Sequence, residues 1–189
     1  EEGTEDAQKY GGMEALDESY LRTSFRELIQ KRAGWLILLL IGEMLTASAM
    51  ARYEKQLDAV WYLAVFVPLI ISSGGNSGSQ ASTLMVRAMA MGEVKMRDWF
   101  QVLVREVSAG VVIGIMLGIV GMIRVLLWSY LYPGIYGDQP FRLGLTVACS
   151  LLGVVILGCL AGSMLPFVLR LCKLDPASAS APFVATIVD

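Results

Sequence analysis

Histidine is absent from the 189 residues, which removes imidazole metal ligands, histidine proton relays and a Ser-His-Asp triad from this chain. Cysteine is scarce: Cys149, Cys159 and Cys172 show no Cys-x-x-Cys spacing. The first two, placed on one helix, stand about 15 Å apart, too far for a disulfide. They are expected as free, core-type thiols, and a structural zinc site finds no ligand set. Charge is low as well, with Asp, Glu, Lys and Arg making up only 17% of the chain. No Gly-x-x-x-x-Gly-Lys-Ser/Thr loop is present to cradle a nucleoside triphosphate, and no nucleic-acid partner is expected.

Apolar sequence dominates instead. Hydrophobic residues are 56% of the chain and the mean hydropathy is +0.60, beyond the range of ordinary soluble domains. A helix needs about 20 mainly apolar residues to cross the hydrocarbon core. Four stretches reach that length, near Gly34 to Ala51, Val60 to Val86, Trp99 to Tyr130 and Leu143 to Leu171. A fifth begins near Ala177 or Pro182, with too few apolar residues before Asp189 to reach the far side. The expected fold is therefore all-α, a polytopic membrane bundle of five transmembrane helices with the fifth truncated, embedded in lipid and occupying residues 33–189.

Residues 1–32 differ in character. Glu1, Glu2, Glu5, Asp6, Glu14, Asp17 and Glu18 stand against Lys9 alone, and Leu21, Phe25, Leu28 and Ile29 then fall at helical spacing. This reads as a cytosolic acidic linker running into an amphipathic helix. Neither an initiating methionine nor a signal-peptide pattern opens the segment, so an upstream soluble region is expected. The Lys and Arg near span ends fix the orientation. Arg22, Arg26, Lys31 and Arg32, then Arg87, Lys95 and Arg97, then Arg170 and Lys173 mark the cytoplasmic side. The connections around Arg52 to Asp58 and Tyr132 to Asp138 are poorer in positive charge. A cell-membrane protein with a cytoplasmic N-terminus satisfies every loop.

The run Pro68-Leu-Ile-Ile-Ser-Ser-Gly-Gly-Asn-Ser-Gly-Ser-Gln80 places small and hydrogen-bonding residues inside a membrane span. Unpaired polar groups cost several kcal/mol each in hydrocarbon, so Asn76 and Gln80 are expected to face a partner helix or a wet cavity. Gly74, Gly75 and Gly78 with their serines permit close helix packing, and Gly110, Gly114, Gly118 and Gly121 form a second packing stripe. Met85, Met89 and Met91 read as membrane filling, because no cysteine or histidine joins them as a copper site.

Acidic residues at membrane depth carry the remaining chemistry. Glu43 lies about 15 Å into the first span and is either a cation contact or a paired structural acid. Asp189 would stand about 20 Å from Asp175 on a helix starting near Pro176. Pro182 on such a helix would leave the Ser178 carbonyl free for water or an ion. A carboxylate with spare carbonyls suits a hard divalent cation; an ordinary paired aspartate is the other reading.

The Gly74-Gly75-Asn76-x-Gly78-x-Gln80 run after Pro68, together with Asp175-Pro176 and Pro182-Phe-Val-Ala-Thr-Ile-Val-Asp189 further on, resembles the transmembrane domain of the MgtE family of magnesium channels. The likeness covers essentially the whole chain, and the leading amphipathic helix resembles that family's plug helix. It implies a homodimer with one ion path at its interface, lined by the second and fifth spans and gated by upstream cytosolic regulatory domains. It also implies Mg2+ as the bound and transported ion, held through its water shell at Asp189 with the Ala185 carbonyl nearby. Gly75, Asn76, Gln80, Ala181 and Pro182 are the implied pore lining, with Glu43 and Asp175 as secondary candidates. Ala181 departs from the family, where asparagine is frequent, so any side-chain contact at that position is missing here.

Two further readings compete. A secondary transporter coupled to Na+ or H+ would titrate Glu43 and Asp189 during its cycle, and a non-transporting scaffold would use its polar residues only to lock helices together. An intramembrane enzyme has least support, since no His-Glu-x-x-His helix and no serine with a plausible base is evident.

Overall fold

The computed structural model describes residues 9–12, 14–16, 20–55 and 61–189. The acidic run at residues 1–6, Asp17, Glu18, Asp58 and Val60, all used in the reading above, lie outside the described residues. Among the described residues every regular element is helical. Helix α1 spans Phe25–Arg52, the short α2 Trp61–Ala64, α3 Val67–Ala90, α4 Trp99–Leu131, α5 Pro140–Leu171 and α6 Ala181–Val188. Single 3-10 turns at Met96–Asp98 and Pro176–Ser178 precede α4 and α6.

Local chemistry sets the ends. The Ser24 hydroxyl accepts the Glu27 N–H at 3.3 Å and starts α1, a capping arrangement that satisfies one orphan donor of the first turn. Pro68 and Pro140 sit in the first turns of α3 and α5, where a missing N–H removes no intrahelical bond. Helix α1 runs without interruption through Arg32 and Ala33, so the border between linker and membrane domain is not marked by a break. Phe25, Leu28 and Ile29 belong to the opening turns of that same helix.

Three helical segments, Phe25–Arg52, Met96–Leu131 and Pro140–Leu171, are long and apolar enough to cross a membrane. The second expected span does not meet that measure. Its helix α3 has 24 residues, about 36 Å at 1.5 Å each, but its middle is serine, glycine, asparagine and glutamine. Three of its hydroxyls are satisfied within the helix: Ser73 donates to the Leu69 carbonyl and Ser77 to the Ser73 carbonyl, both at 2.8 Å, and Thr83 to the Ser79 carbonyl at 2.7 Å.

Helix α5 is the centre of the bundle, packed on one side by α4 and on another by α3, with α6 set between α3 and α5. Glycine makes both contacts close. A Cβ at Gly74 or Gly78 would meet Val154 or the Gly158 carbonyl, and one at Gly158 or Gly162 would run into the carbonyls of Gly74 and Gly78. Two small-xxx-small pairs thus face each other and bring the α3 and α5 backbones together. Gly110, Gly114, Gly118 and Gly121 do the same for α4, against Ile156, Leu152, Ala148 and Leu151. Larger side chains fill the two ends: Phe66, Val125, Tyr136, Leu143, Val147 and Leu151 at one, and Met85, Met89, Val102 and Phe167 at the other.

Helix α1 is peripheral. Only Leu39 of its residues is buried, and it touches the bundle through α6, where Gly42 lies under Thr186 and Trp35 stacks on Phe183 with ring centroids 5.7 Å apart. The three cysteines are free.

Candidate functional site

The chain entering α6 is broken rather than continuous. After the 3-10 turn at Pro176–Ser178, Ala179 leaves helical geometry and Ser180 caps α6, its hydroxyl accepting the Phe183 N–H at 3.3 Å. The expectation of one helix from Pro176 is corrected accordingly. Pro182 stands in the first turn of α6, where its missing N–H takes no partner from the helix, so it does not release the Ser178 carbonyl from an existing helix.

Ala179 and Ser180 are fully buried, and non-helical backbone at such a depth must find partners inside the protein. Helix α3 supplies them. The Ser82 hydroxyl donates to the Ala179 carbonyl at 2.8 Å and the Ser79 hydroxyl to the Ala181 carbonyl at 3.3 Å. These serines fasten the start of α6 to α3. Nothing in the local sequence announced them, since the bonded residues are 97 and 102 positions apart.

Beyond this fastening, α3 and α6 border an open cavity of about 600 Å³. Ser72, Gly75, Asn76 and Ser79 of α3 line it, with Ala185 and Asp189 opposite. Gly75 holds the two helices close: a Cβ there would come 3.3 Å from the Ala185 Cβ and 3.9 Å from Asp189 Oδ1. The Ala185 carbonyl accepts the Asp189 N–H at 2.9 Å and keeps its second lone pair. A neighbouring cavity of about 580 Å³, lined by Thr46, Met50 and Tyr53, shares Asp189, Met50, Val67 and Ile71 with the first. Asp189 therefore stands where the two meet. The wall contributed by α1 was not foreseen, because Thr46 and Met50 read as ordinary span residues.

Asn76 is exposed and lines the cavity, and Gly75, Ala185 and Asp189 are brought together with it. Ala181 lines neither Asp189 cavity, and its carbonyl accepts the Ser79 hydroxyl. Pro182 lies on the other side of Ala185, in a cavity of about 490 Å³ that also holds Glu43, Leu39 and Thr186. Gln80 is exposed and lines neither Asp189 cavity. Among the described residues, no group of three Asp, Glu, Cys or His side chains converges as a metal cage.

Asp175 is at the end of the bundle where α3 and α5 finish, apart from the cavities. One carboxylate oxygen accepts the Ala177 N–H at 2.9 Å and the other pairs with Lys9 Nζ at 2.9 Å. The segment carrying Lys9 lies across this end. The Tyr10 hydroxyl donates to the Ser79 carbonyl at 2.8 Å and is hydrogen-bonded to Thr83. Gly12, at φ +76°, lies against Trp35, and Lys31 Nζ donates to the Ala15 carbonyl at 2.6 Å. Partial burial pushes the Asp175 carboxyl up, but the Lys9 ammonium and the Ala177 N–H together outweigh it and hold the group below its ordinary value. With the folded value depressed, the contact is in place above the ordinary carboxylate range and fades as pH falls through the lowered value. Both partners are substantially exposed, so global stability depends little on them. Asp175→Asn is expected to speed hydrogen exchange and proteolysis at residues 9–12 with an unchanged unfolding temperature. An unaltered exchange rate there would show that Tyr10 and Gly12 hold the segment unaided.

A bundle of long apolar helices with a carboxylate and an amide at one open, largely apolar cleft defines a class: polytopic helical membrane proteins. Residues 67–189 match the sequence model of the MgtE family, described as a divalent cation transporter, and the chain belongs to that family. It is 36% identical over 189 residues, its whole length, to the magnesium transporter MgtE of Thermus thermophilus. It is 33% identical over 185 residues, 98% of its length, to that of Enterococcus faecalis, and 30% identical over 159 residues, 84%, to that of Bacillus subtilis. The chain spans 40%, 39% and 33% of those three relatives' lengths.

Proposed function

We propose that the protein carries Mg2+ across the cell membrane as a channel, the ion passing hydrated through the cleft at Asp189. The observation that carries this reading is that Asp189, Asn76, Ser72 and Ala185 line one cavity between α3 and α6. Magnesium prefers octahedral oxygen coordination at about 2.0–2.1 Å and gives up its water reluctantly, so a conducting site should offer hydrogen-bond acceptors to the water shell rather than a cage. One carboxylate, an amide oxygen and a carbonyl supply that. Inward movement of a dication is favoured by about 2.3 kcal/mol per charge per 100 mV, so no nucleotide is required.

In this reading the path lies at a homodimer interface, where two Asp189 carboxylates face one axis and favour a dication over a monovalent ion. Gly75 and Asn76 line it at Asp189, with Gln80, Ala181 and Pro182 bordering it beyond the Asp189 cavity; the N-terminus is cytoplasmic, and cytosolic domains upstream act as the gate. The segment of Lys9 and Tyr10, laid from Asp175 across α3 towards α1, is where such domains would pull.

Glu43 favours a second reading. It shares a cavity with Ala185, on the opposite side of α6 from Asn76, and a coupled transporter would load a proton or Na+ there. Magnesium uptake into liposomes by the full-length protein separates the two. The channel reading expects the same rate with and without an opposing Na+ or pH gradient, and Glu43→Gln changes the rate by less than about threefold. Uptake that requires a gradient and disappears in Glu43→Gln would install the coupled transporter in its place.

A further inference from the structure

At the end of the bundle away from Asp175, a cavity of about 550 Å³ opens between the α2 turn, the α4–α5 loop and the first turns of α5. Tyr62, Asp138, Gln139, Arg142, Leu143 and Thr146 line it. It takes no part in the Asp189 path. Its volume falls in the range of small-ligand pockets, about 300–1,000 Å³.

Two charges of opposite sign border this cavity without neutralising each other. Among the described residues, neither Asp138 nor Arg142 has a salt bridge or a side-chain hydrogen bond. A second arginine of this end, Arg124, is already engaged: its guanidinium lies 3.5 Å from the Trp128 ring centroid and donates to the Tyr136 hydroxyl at 3.4 Å. The loop is fixed from beneath. Tyr136 is buried and packed on Phe66, and Gly137 at φ +69° turns the chain so that Asp138 emerges beside Tyr62.

The setting is a membrane interface. Trp61, Tyr130 and Tyr132 are exposed around the same end of the bundle, as amphipathic rings are at headgroup depth. Phe141 and Leu145, flanking Arg142 on α5, are exposed apolar residues that offer a surface to an acyl chain.

We propose that this cavity binds the headgroup of an aminophospholipid, a phosphodiester joined to a primary ammonium, of the phosphatidylethanolamine type. Arg142 presents a planar donor fork to the phosphate oxygens. Asp138 accepts from the ammonium, which offers three N–H donors, with Tyr62, Gln139 and Thr146 as further hydrogen-bonding groups around the linker. A quaternary choline headgroup has no N–H for Asp138, and a glycerol headgroup brings no positive charge. The site thus discriminates by the ammonium as well as by the phosphate.

The test is native mass spectrometry of the full-length protein in detergent with added phosphatidylethanolamine, phosphatidylcholine or phosphatidylglycerol. Phosphatidylethanolamine is expected to be retained about tenfold more strongly than either of the others, and Asp138→Asn or Arg142→Gln each to remove that preference. Both side chains are exposed, so the variants fold. Water-soluble glycerophosphoethanolamine is the second arm: weak or absent competition identifies the lipid as ligand, and full competition at equal concentration would show that the free headgroup suffices and overturn the lipid assignment. Equal retention of all three lipids, or a preference untouched by both variants, would refute the site.

Discussion

Asp189→Ala in the full-length protein is expected to reduce magnesium uptake into liposomes by about a hundredfold or more, with the protein still folded and monodisperse. The magnitude follows from what the carboxylate offers a hydrated dication. Charge-assisted hydrogen bonds are worth about 1.5–3 kcal/mol each, and two lost from the water shell amount to about 3 kcal/mol, near two powers of ten. The fold does not depend on the group, because Asp189 stands at the junction of two open cavities and, among the described residues, its side chain makes no hydrogen bond or salt bridge that holds the bundle. Asp189→Glu keeps the charge with one more methylene and is expected to retain a reduced but measurable rate. An alanine variant that conducts at the wild-type rate would remove Asp189 from the path.

The second large effect concerns assembly. Gly162→Leu is expected to leave little folded protein, seen as lost monodispersity in detergent and a collapsed unfolding transition. The hydrogen of Gly162 faces the Gly78 backbone directly, and no flexible side chain is there to move aside. Overpacking costs about 1–3 kcal/mol where side chains can shift, and a backbone obstruction sits at or above the top of that range. Displacing α3 from α5 would also undo the cleft, since Gly75 and Asn76 lie on the neighbouring faces of the same helix. Gly153 is the control. Nothing lies within 4 Å of a Cβ built there, and Gly153→Ala should fold at least as well as wild type, alanine being about 1 kcal/mol better in a helix interior. Equal behaviour of the two variants would show that close approach of α3 and α5 is not what holds the bundle.

Both expectations turn on residues that the sequence displays openly, yet in different ways. Long apolar runs made α1, α4 and α5 legible, because crossing hydrocarbon demands length and apolarity together. Helix α3 was legible for the opposite reason. Its glycines and serines are conspicuous inside an apolar neighbourhood, and the structure spends them on backbone contact with Gly158 and Gly162 and on Gly75 beneath Ala185. The same small residues lower its hydropathy, which is why the helix Val67–Ala90 falls short of the measure that the other three meet, although the longer stretch from Val60 was counted as a span.

Of the two starts expected for the fifth span, near Ala177 or near Pro182, the structure takes the second, but the continuous helix from Pro176 was misread. Two prolines six positions apart suggested one helix with a wounded middle, whereas Ser180 begins a new helix and Pro182 is harmless in its first turn. Ser79 and Ser82 make that break tolerable, and such pairing across 97 to 102 positions leaves no local signature. The Lys9 and Asp175 pair, 166 positions apart, is invisible for the same reason. The Asp189 cleft was partly legible: amide, glycine and carboxylate could be named, but not Thr46 and Met50 as its far wall.

The central claim is that a hydrated dication rests at Asp189. Manganese shares the octahedral oxygen preference of magnesium and is paramagnetic, so its binding to the full-length protein can be followed by electron paramagnetic resonance while magnesium is titrated in. A bound manganese population that magnesium displaces, that carries a nearly complete shell of exchangeable water protons, and that is missing from Asp189→Ala is the predicted result. Manganese bound through a mostly dehydrated cage, or an Asp189→Ala protein that retains the whole magnesium-sensitive population, would contradict the account.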